Sequence, residues 1–283
     1  MWGWGFGPTE RVDVERTPSD MVDTGSGPAM VLILGIQGRC EWMDAAVDAL
    51  SARRRVITDS LPHDICDGGT FGAYVDWVDD LMDRAQVSRA ALCGVSYGGL
   101  VALHHAARRP DRVMSLTLAS TPSFTWQPNT RVEWYLKMPR LLSPVFALSS
   151  PFRLYPEIAS AFPDPFERAG FALRHLHRVT RYPFAPSRMA ARVRLLQGVD
   201  FADDCRRVTM PTHVVTGQPG LDRVVPVEST RAYLDVIDGA THTQLDATRH
   251  IGLGTRPDTF AEVVGRFIET HAARPHHRGR VPA

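Results

Sequence analysis

The chain has 283 residues, of which 44% are hydrophobic and 22% charged, and its formal net charge at pH 7 is +1. This composition is that of a globular protein and excludes disordered, collagen-like and disulfide-rich classes. The length fits one large α/β domain, or a core domain with one sizeable insertion. The balanced charge argues against a nucleic-acid or anionic-lipid partner.

The cysteines do not indicate a metal-binding protein, and the apolar segments do not indicate a secreted or membrane-spanning one. The four cysteines form no C-x-x-C pair and accompany no paired-histidine pattern, so we expect no zinc site. No secretory signal is recognisable, and no apolar run approaches the roughly 18 residues of a membrane span. We therefore expect a soluble, cytoplasmic protein, and the sequence leaves its oligomeric state open.

Strand-like and helix-like segments alternate along most of the chain. After a turn cluster at residues 23–28, the predicted strands are residues 30–34, 55–58, 90–93, 113–118 and 212–216. The predicted helices are residues 41–52, 71–85, 98–109 and 257–271. The helix at 71–85 has an acidic face that we interpret as solvent-exposed. Strict alternation predicts βαβ units, and therefore an α/β fold with a mostly parallel sheet.

Residues 124–205 interrupt this alternation. They contain 13 of the chain's 24 Phe, Trp and Tyr residues and nine of its 21 prolines. We interpret them as a helical cap inserted over a core that comprises residues 1–123 and 206–272. Residues 273–283 are predicted to be a disordered basic tail.

The strongest chemical signal is the run Gly94-Val95-Ser96-Tyr97-Gly98, with Gly99 after it. It lies between a predicted strand and a predicted helix, where a serine on a tight, strained turn projects its hydroxyl above the sheet edge. Glycines two residues before and after the serine leave room for such a turn. We predict that Ser96 is a nucleophile, with an ordinary glycine-rich βα turn as the alternative.

A serine nucleophile needs a base, for which the histidines are the candidates. His250 lies in a loop just before the final helix, from where its side chain can reach over the sheet edge, and we predict that it is the base. His242 falls within a strand-like run and is expected to pack or to face solvent. His104 and His105 lie on the helix after Ser96 and are expected to point away from the site.

The base in turn needs an acid that orients it. Asp222 is the only carboxylate in the loop at residues 217–222, and Ser96, Asp222 and His250 follow the chain order that accompanies a serine elbow. The segment after the strand at 113–118 contains no acid. Asp204 and Asp246 remain alternatives, and turn formation is the other explanation for an Asp at this place.

Two backbone N–H groups are predicted to bind the oxyanion of a tetrahedral intermediate. One belongs to Tyr97, directly after the nucleophile. The other belongs to Ile36, in a loop at residues 34–38 whose two glycines let the backbone come close to a substrate. Gln37 is a candidate substrate contact or a residue of the pocket rim.

These residues resemble the α/β-hydrolase superfamily over roughly residues 28–122 and 206–272, with the insertion in the place of that family's variable cap. The resemblance implies a twisted, mostly parallel sheet flanked by helices, no cofactor, and acyl transfer to water through an acyl-serine. The matching residues are Gly35-Ile36-Gln37-Gly38, the run from Gly94 to Gly99, Asp222 before Val224-Val225-Pro226, and His250.

Two places depart from the family pattern. Leu34 stands where many members carry His before the oxyanion glycine, and residues 59–64 replace the usual Asp-x-Arg-Gly-x-Gly stretch. A serine rather than an aspartate at position 96 argues against the dehalogenase and epoxide-hydrolase branches.

We therefore expect a cofactor-free serine hydrolase that cleaves a small, partly apolar carboxylic ester, lactone or thioester. Trp126 and Trp134 are candidate substrate-binding residues of the aromatic cap, although most cap aromatics are expected to form its own small core. The alternatives are a carbon–carbon bond hydrolase, an acyltransferase or a haloperoxidase of the same fold, and a non-enzymatic small-molecule receptor.

Overall fold

A computed structural model describes residues 21–142, 144, 155, 158–183, 185–222, 224–250 and 252–272. The disordered tail predicted for residues 273–283 lies outside the described residues.

The described strands form a single sheet. They are β1 (Val22–Thr24), β2 (Ala29–Ile33), β3 (Arg55–Thr58), β4 (Ala90–Val95), β5 (Val113–Ala119), β6 (Thr212–Thr216) and β7 (Thr241–Gln244). Their order across the sheet is β1-β3-β2-β4-β5-β6-β7. β1 pairs antiparallel with β3, and the other neighbours are parallel. The mostly parallel sheet predicted from the sequence is confirmed.

Helices connect and flank the strands. The described α-helices with assigned bounds are α1 (Asp44–Ser51), α2 (Ala73–Arg84), α3 (Tyr97–Arg108), α4 (Thr130–Lys137), α5 (Pro165–Arg181), α6 (Pro186–Leu195), α7 (Phe201–Arg207), α8 (Val227–Arg231), α9 (Gly252–Thr255) and α10 (Pro257–Ala272). Every residue of β4 is buried, and so is α3 from its first residue to Ala107, because both lie at the centre of the sheet and its helical layer. No α-helix in this part of the chain is both long and apolar enough to cross a membrane.

The parallel strands bring their carboxyl ends to one edge of the sheet. The loop after β2, the residues that follow β4 and β5, and the loops after β6 and β7 all start there. Ligands bind along this edge in open parallel sheets. The fold therefore places the loops of all the predicted catalytic residues side by side.

The acidic face of α2 is more than a solvated surface. Asp79 is largely buried, and its carboxylate accepts hydrogen bonds from Arg109 Nε at 2.8 Å and lies 3.1 Å from His105 Nε2. Asp83 pairs with Arg112 at 2.6 Å. The expectation of solvent exposure is therefore wrong for Asp79, whereas Asp83 is exposed as expected. Both carboxylates nevertheless join α2 to α3 or to the turn that follows it.

The end of the predicted cap packs with the core. α7 lies against α3, and its residues Phe201 and Cys205 belong to the main hydrophobic cluster. By contrast, α5 exposes the apolar side chains of Phe166, Leu173 and Leu176. We therefore propose that the cap contains α4, α5 and α6 and ends before α7.

Candidate active site

Ser96 occupies a strained turn between β4 and α3. Its φ is +54° and its ψ −122°, a conformation that non-glycine residues rarely adopt. The turn is held because the Ser96 N–H donates to the carbonyl of Ala119 at 2.8 Å, and the N–H of Gly99 donates to the carbonyl of Ser96 at 2.9 Å. The side chain is thereby fixed at the carboxyl edge of the sheet.

Two glycines make this turn sterically possible. A Cβ on Gly94 would lie 2.3 Å from the carbonyl oxygen of Gly98, and a Cβ on Gly98 would lie 2.3 Å from that of Ile33. Both neighbours are backbone atoms, so a side chain at either position would force the chain itself to move. The glycine spacing in the sequence is therefore explained by close backbone packing around Ser96.

Asp222 and His250 form a hydrogen-bonded pair. His250 Nδ1 lies 3.0 Å from Asp222 Oδ2, and the Asp222 side chain is only 1% exposed. The other carboxylate oxygen, Oδ1, accepts from the N–H groups of Val224 at 2.8 Å and Val225 at 3.0 Å. Because both oxygens are engaged, the carboxylate holds the imidazole in the tautomer that leaves Nε2 free to accept a proton.

The loops that carry this pair are joined to each other. The N–H of Gln218 donates to the carbonyl of Thr248 at 2.8 Å, and the Gln218 side chain accepts from the N–H of Ala247 at 3.0 Å. A Cβ on Gly217 would lie 2.6 Å from the Thr248 carbonyl, so glycine permits this close approach. Asp222 and His250 are thus positioned by one connected pair of loops after β6 and β7.

The other candidate acids and histidines have different partners. Asp246 is exposed and accepts from Gln244 Nε2 at 2.9 Å. His242 lies in β7 with its Nε2 2.8 Å from Thr216 Oγ1. Asp204 is fully buried, 2.7 Å from His104 Nδ1, and accepts from Arg108 Nη1 at 2.6 Å. Asp204 is thus engaged in the core, His242 in the sheet and Asp246 at the surface, and none of these hydrogen bonds involves His250.

Replacing Asp204 by alanine is expected to lower the free energy of unfolding by about 3 kcal/mol, because it leaves His104 and Arg108 without their buried partner. Catalytic turnover per folded molecule should stay at the wild-type value. Urea denaturation measures the loss, with Asp203→Ala as the control. Asp203 is a neighbour that pairs with arginines on the surface of the same helix. A loss for Asp204→Ala no larger than that of the control would contradict the buried-pair interpretation.

One predicted oxyanion donor follows Ser96 directly in the chain, and the other belongs to a loop that comes close to Ser96. Tyr97 is the first residue of α3, so its N–H belongs to the free donors of a helix N-terminus. Ile36 lies in the turn after β2, where a Cβ on the adjacent Gly35 would lie 3.6 Å from Ser96 Cβ. This proximity is consistent with the predicted site, and the role of both N–H groups stays a prediction.

The Tyr97 side chain is turned away into the core. Its ring contacts those of Phe71 and Tyr74 edge to face, at centroid distances of 5.9 and 6.0 Å. Burial raises the pKa of the Tyr97 hydroxyl, so that group stays protonated and neutral. The only part of Tyr97 that is offered to a substrate in our assignment is its backbone N–H.

The predicted substrate-binding residues occupy different environments. Gln37 is half-buried in the turn after β2. Trp126 is also half-buried, and its backbone N–H donates to the carbonyl of Ser123 at 2.9 Å, which closes a turn. Trp134 is 53% exposed on α4, with Lys137 Nζ 5.8 Å from the centre of its ring. Their contacts with a substrate remain a prediction.

Arg192 is a residue of this region that the sequence analysis missed. It lies on α6, and its buried guanidinium donates to backbone carbonyls of the loop that contains Ile36. No local signal distinguishes it among the arginines of the insertion, because its partners are more than 100 residues away in sequence. Among the described residues, no group of three or more His, Cys, Asp or Glu side chains could hold a metal ion.

Comparisons with known proteins agree with this geometry. A sequence model of the family described as "alpha/beta hydrolase fold" matches residues 44–144. The chain is 29% identical over 255 residues to a pimeloyl-(acyl-carrier protein) methyl ester esterase of Aeromonas salmonicida, which covers 86% of this chain and 96% of the relative. It is 25% identical over 270 residues to a 2-hydroxymuconate semialdehyde hydrolase of a Pseudomonas species, with coverages of 88% and 90%.

A solved structure shows the same fold. The crystal structure of a bromoperoxidase from Bacillus anthracis superposes with a TM-score of 0.69 at 18% identity, covering 88% of this chain and 94% of that one. The sheet order, the position of the serine turn and these similarities all agree with the fold predicted from the sequence. The chain therefore has the α/β-hydrolase fold, and both its sequence and its structure are similar to proteins of that superfamily.

Proposed function

We propose that the chain is a serine hydrolase of the carboxylic ester type, acting in the cytoplasm without a cofactor. The observation that carries this proposal is the hydrogen bond between His250 and the buried Asp222, on two joined loops at the same edge of the sheet as the strained turn of Ser96. Such a set of nucleophile, base and orienting acid is what acyl transfer through a serine requires.

The proposed reaction has two halves. In the first, Ser96 Oγ attacks the ester carbonyl while His250 Nε2 takes the hydroxyl proton, and the tetrahedral intermediate collapses as the carbon–oxygen bond to the leaving group breaks. His250 gives its proton to the leaving alkoxide, which departs as an alcohol. In the second half, water attacks the acyl-serine, His250 takes a proton from the water and returns it to Ser96, and the carboxylic acid leaves.

Electrostatics in the site favour both halves. The Asp222 carboxylate, largely withdrawn from solvent, stabilises the positive imidazolium that forms on His250 in each half-reaction. The N–H groups of Ile36 and Tyr97 are assigned to the negative oxyanion, which develops at the same moments. Donors fixed before the reaction need no reorganisation, and this preorganisation is the main source of rate acceleration in such sites.

The substrate that we propose is a small, partly apolar carboxylic ester, lactone or thioester. The similarity to proteins named as methyl ester esterases supports an ester linkage. The aromatic residues of the insertion favour an apolar acyl or alkyl group.

Initial rates on p-nitrophenyl esters of increasing acyl length test this proposal. We expect turnover with one clear optimum of acyl length, because a pocket of fixed size gains binding energy until the chain no longer fits. If no ester of the series is hydrolysed, the ester assignment is wrong.

A second candidate is a different reaction on the same fold. The similarities to a protein named as a 2-hydroxymuconate semialdehyde hydrolase and to a bromoperoxidase favour this alternative. Product analysis on candidate substrates distinguishes carbon–carbon cleavage, acyl transfer to an alcohol or amine, and halogenation from simple ester hydrolysis. Tight, stoichiometric binding without turnover would instead indicate a receptor.

A further inference from the structure

Arg192 is a buried cation that donates to three backbone carbonyls. Its side chain is 1% exposed, and Nη1 donates to the carbonyls of Ile36 at 2.8 Å and Gln37 at 3.0 Å. Nη2 donates to the carbonyl of Leu61 at 3.2 Å. A buried guanidinium is stable only where other hydrogen bonds replace those that it makes to water, and here Nη1 and Nη2 form such bonds while Nε lacks one. The guanidinium and the three carbonyls therefore hold one another in place.

The carbonyls belong to the turn that carries a predicted oxyanion donor. The N–H of Gly38 donates to the carbonyl of Gly35 at 2.9 Å, which closes a four-residue turn with Ile36 and Gln37 at its centre. A trans peptide points its C=O and N–H in opposite directions. Because the Gly35 carbonyl is turned toward Gly38, the Ile36 N–H points away from the interior of the turn.

Gly38 provides the space that the guanidinium occupies. Its φ is +67°, in the left-handed region that favours glycine, and an added Cβ would lie 2.5 Å from Arg192 Cζ. Two further contacts join the same loop to the insertion. Arg39 lies over the Tyr182 ring at 5.0 Å, and the rings of Trp42 and His175 meet edge to face at 5.6 Å. The loop after β2 is thus held from the side of the insertion.

We propose that Arg192 is a positioning residue for the oxyanion hole. It fixes the carbonyls of Ile36 and Gln37, and thereby the conformation of the turn that directs the Ile36 N–H toward the substrate oxygen. Leu34, directly before this turn, has no side-chain donor with which to perform the same task. Arg192 lies on α6, so in this proposal the core supplies the N–H donors of the oxyanion hole and the insertion supplies a residue that positions one of them. This inference rests on the proposed function, since it assigns a task within that reaction.

The substitution Arg192→Met tests the proposal, because methionine fills similar space without the donors. We expect kcat per active site to fall about tenfold to a hundredfold, somewhat less than the loss of a whole oxyanion donor. KM should change less than threefold. The affinity for an alkyl boronic acid, which forms a tetrahedral adduct with the serine, should fall in parallel with kcat. The affinity for the carboxylic acid product should not change.

The matched control is Arg188→Met, one turn earlier on the same helix and exposed. It should match the wild type in kcat, KM and boronic acid affinity. Active sites are counted by the stoichiometry of complete fluorophosphonate labelling, and folding is checked by Tm. A purely structural role would lower Tm or the number of active sites but leave kcat per site unchanged.

Two further variants keep the test decisive if Arg192→Met does not fold. Arg192→Lys retains the charge but lacks the planar fork that reaches several carbonyls, and Gly38→Ala places a methyl group against the guanidinium. Both should lower kcat per site at nearly constant KM. A kcat per site within threefold of the wild type in every folded variant overturns the role of Arg192 while the hydrolase function stands. A wild-type protein without ester turnover would instead overturn the proposed function.

Discussion

Ser96→Ala is expected to lower kcat/KM on esters by at least about a thousandfold, because it removes the atom that attacks the carbonyl and only the oxyanion donors and substrate binding remain. KM should change little. The measurement is the initial rate on the best ester of the p-nitrophenyl series, after correction for hydrolysis without protein.

Ser120→Ala is the matched control for this substitution. Ser120 lies directly after β5, the strand next to β4, and it too is buried with a positive φ, of +44°. It should retain turnover within about threefold of the wild type, since in our assignment it takes no part in the reaction. A loss of less than tenfold for Ser96→Ala would remove Ser96 from the role of nucleophile.

Asp222→Asn is expected to lower kcat by about a thousandfold to ten-thousandfold. The amide oxygen of an asparagine would accept the bonds from the N–H groups of Val224 and Val225 that Asp222 Oδ1 accepts now. Its NH₂ group would then face His250 Nδ1. This arrangement favours the tautomer with the proton on Nε2, which cannot take the proton of Ser96.

The control for the second prediction is Asp246→Asn, which changes an exposed acid on the loop that leads to His250. Its kcat should stay within about threefold of the wild type, because Asp246 bonds to Gln244 and not to the imidazole. If Asp222→Asn retained more than a tenth of the wild-type kcat, another group would have to orient His250.

The parts of the molecule that could be predicted from sequence are those that local patterns determine. Residues 55–58 and 212–216 coincide with β3 and β6, because both segments are short and rich in the β-branched residues Val, Ile and Thr that favour strands. β1 was missed. It has three residues, pairs antiparallel at the edge of the sheet, and overlaps a segment whose turn residues dominate the local signal.

The residues that we propose as catalytic were predicted with different kinds of support. The glycines around Ser96 meet a local steric demand, so the turn can be recognised from a few adjacent residues. The choice of Asp222 rested on chain order and loop position, and its contact with His250 agrees with that choice. Asp204, an alternative acid, is engaged by His104 and Arg108 across about 100 residues of sequence.

The sequence did not reveal contacts between residues that lie far apart along the chain. Arg192 donates to the carbonyls of residues 36 and 37, which are more than 150 positions away in the chain. Because every residue has a backbone carbonyl, the identity of residues 36 and 37 does not reveal this contact. The end of the insertion that we propose, before α7, is earlier than the composition indicates. The segment that contains Phe201 and Cys205 resembles the rest of the insertion in composition, but it forms α7, which packs against α3 in the core.

The most direct test of the central proposal is to label the wild-type protein with an alkyl fluorophosphonate and to locate the adduct by peptide mass spectrometry. An activated serine that is assisted by His250 should form one covalent adduct per chain, on the peptide that contains Ser96, and turnover should be lost in proportion. Ser96→Ala should remain unlabelled under the same conditions. An adduct at another residue, or no adduct in a folded protein, would contradict the assignment of Ser96 as the nucleophile.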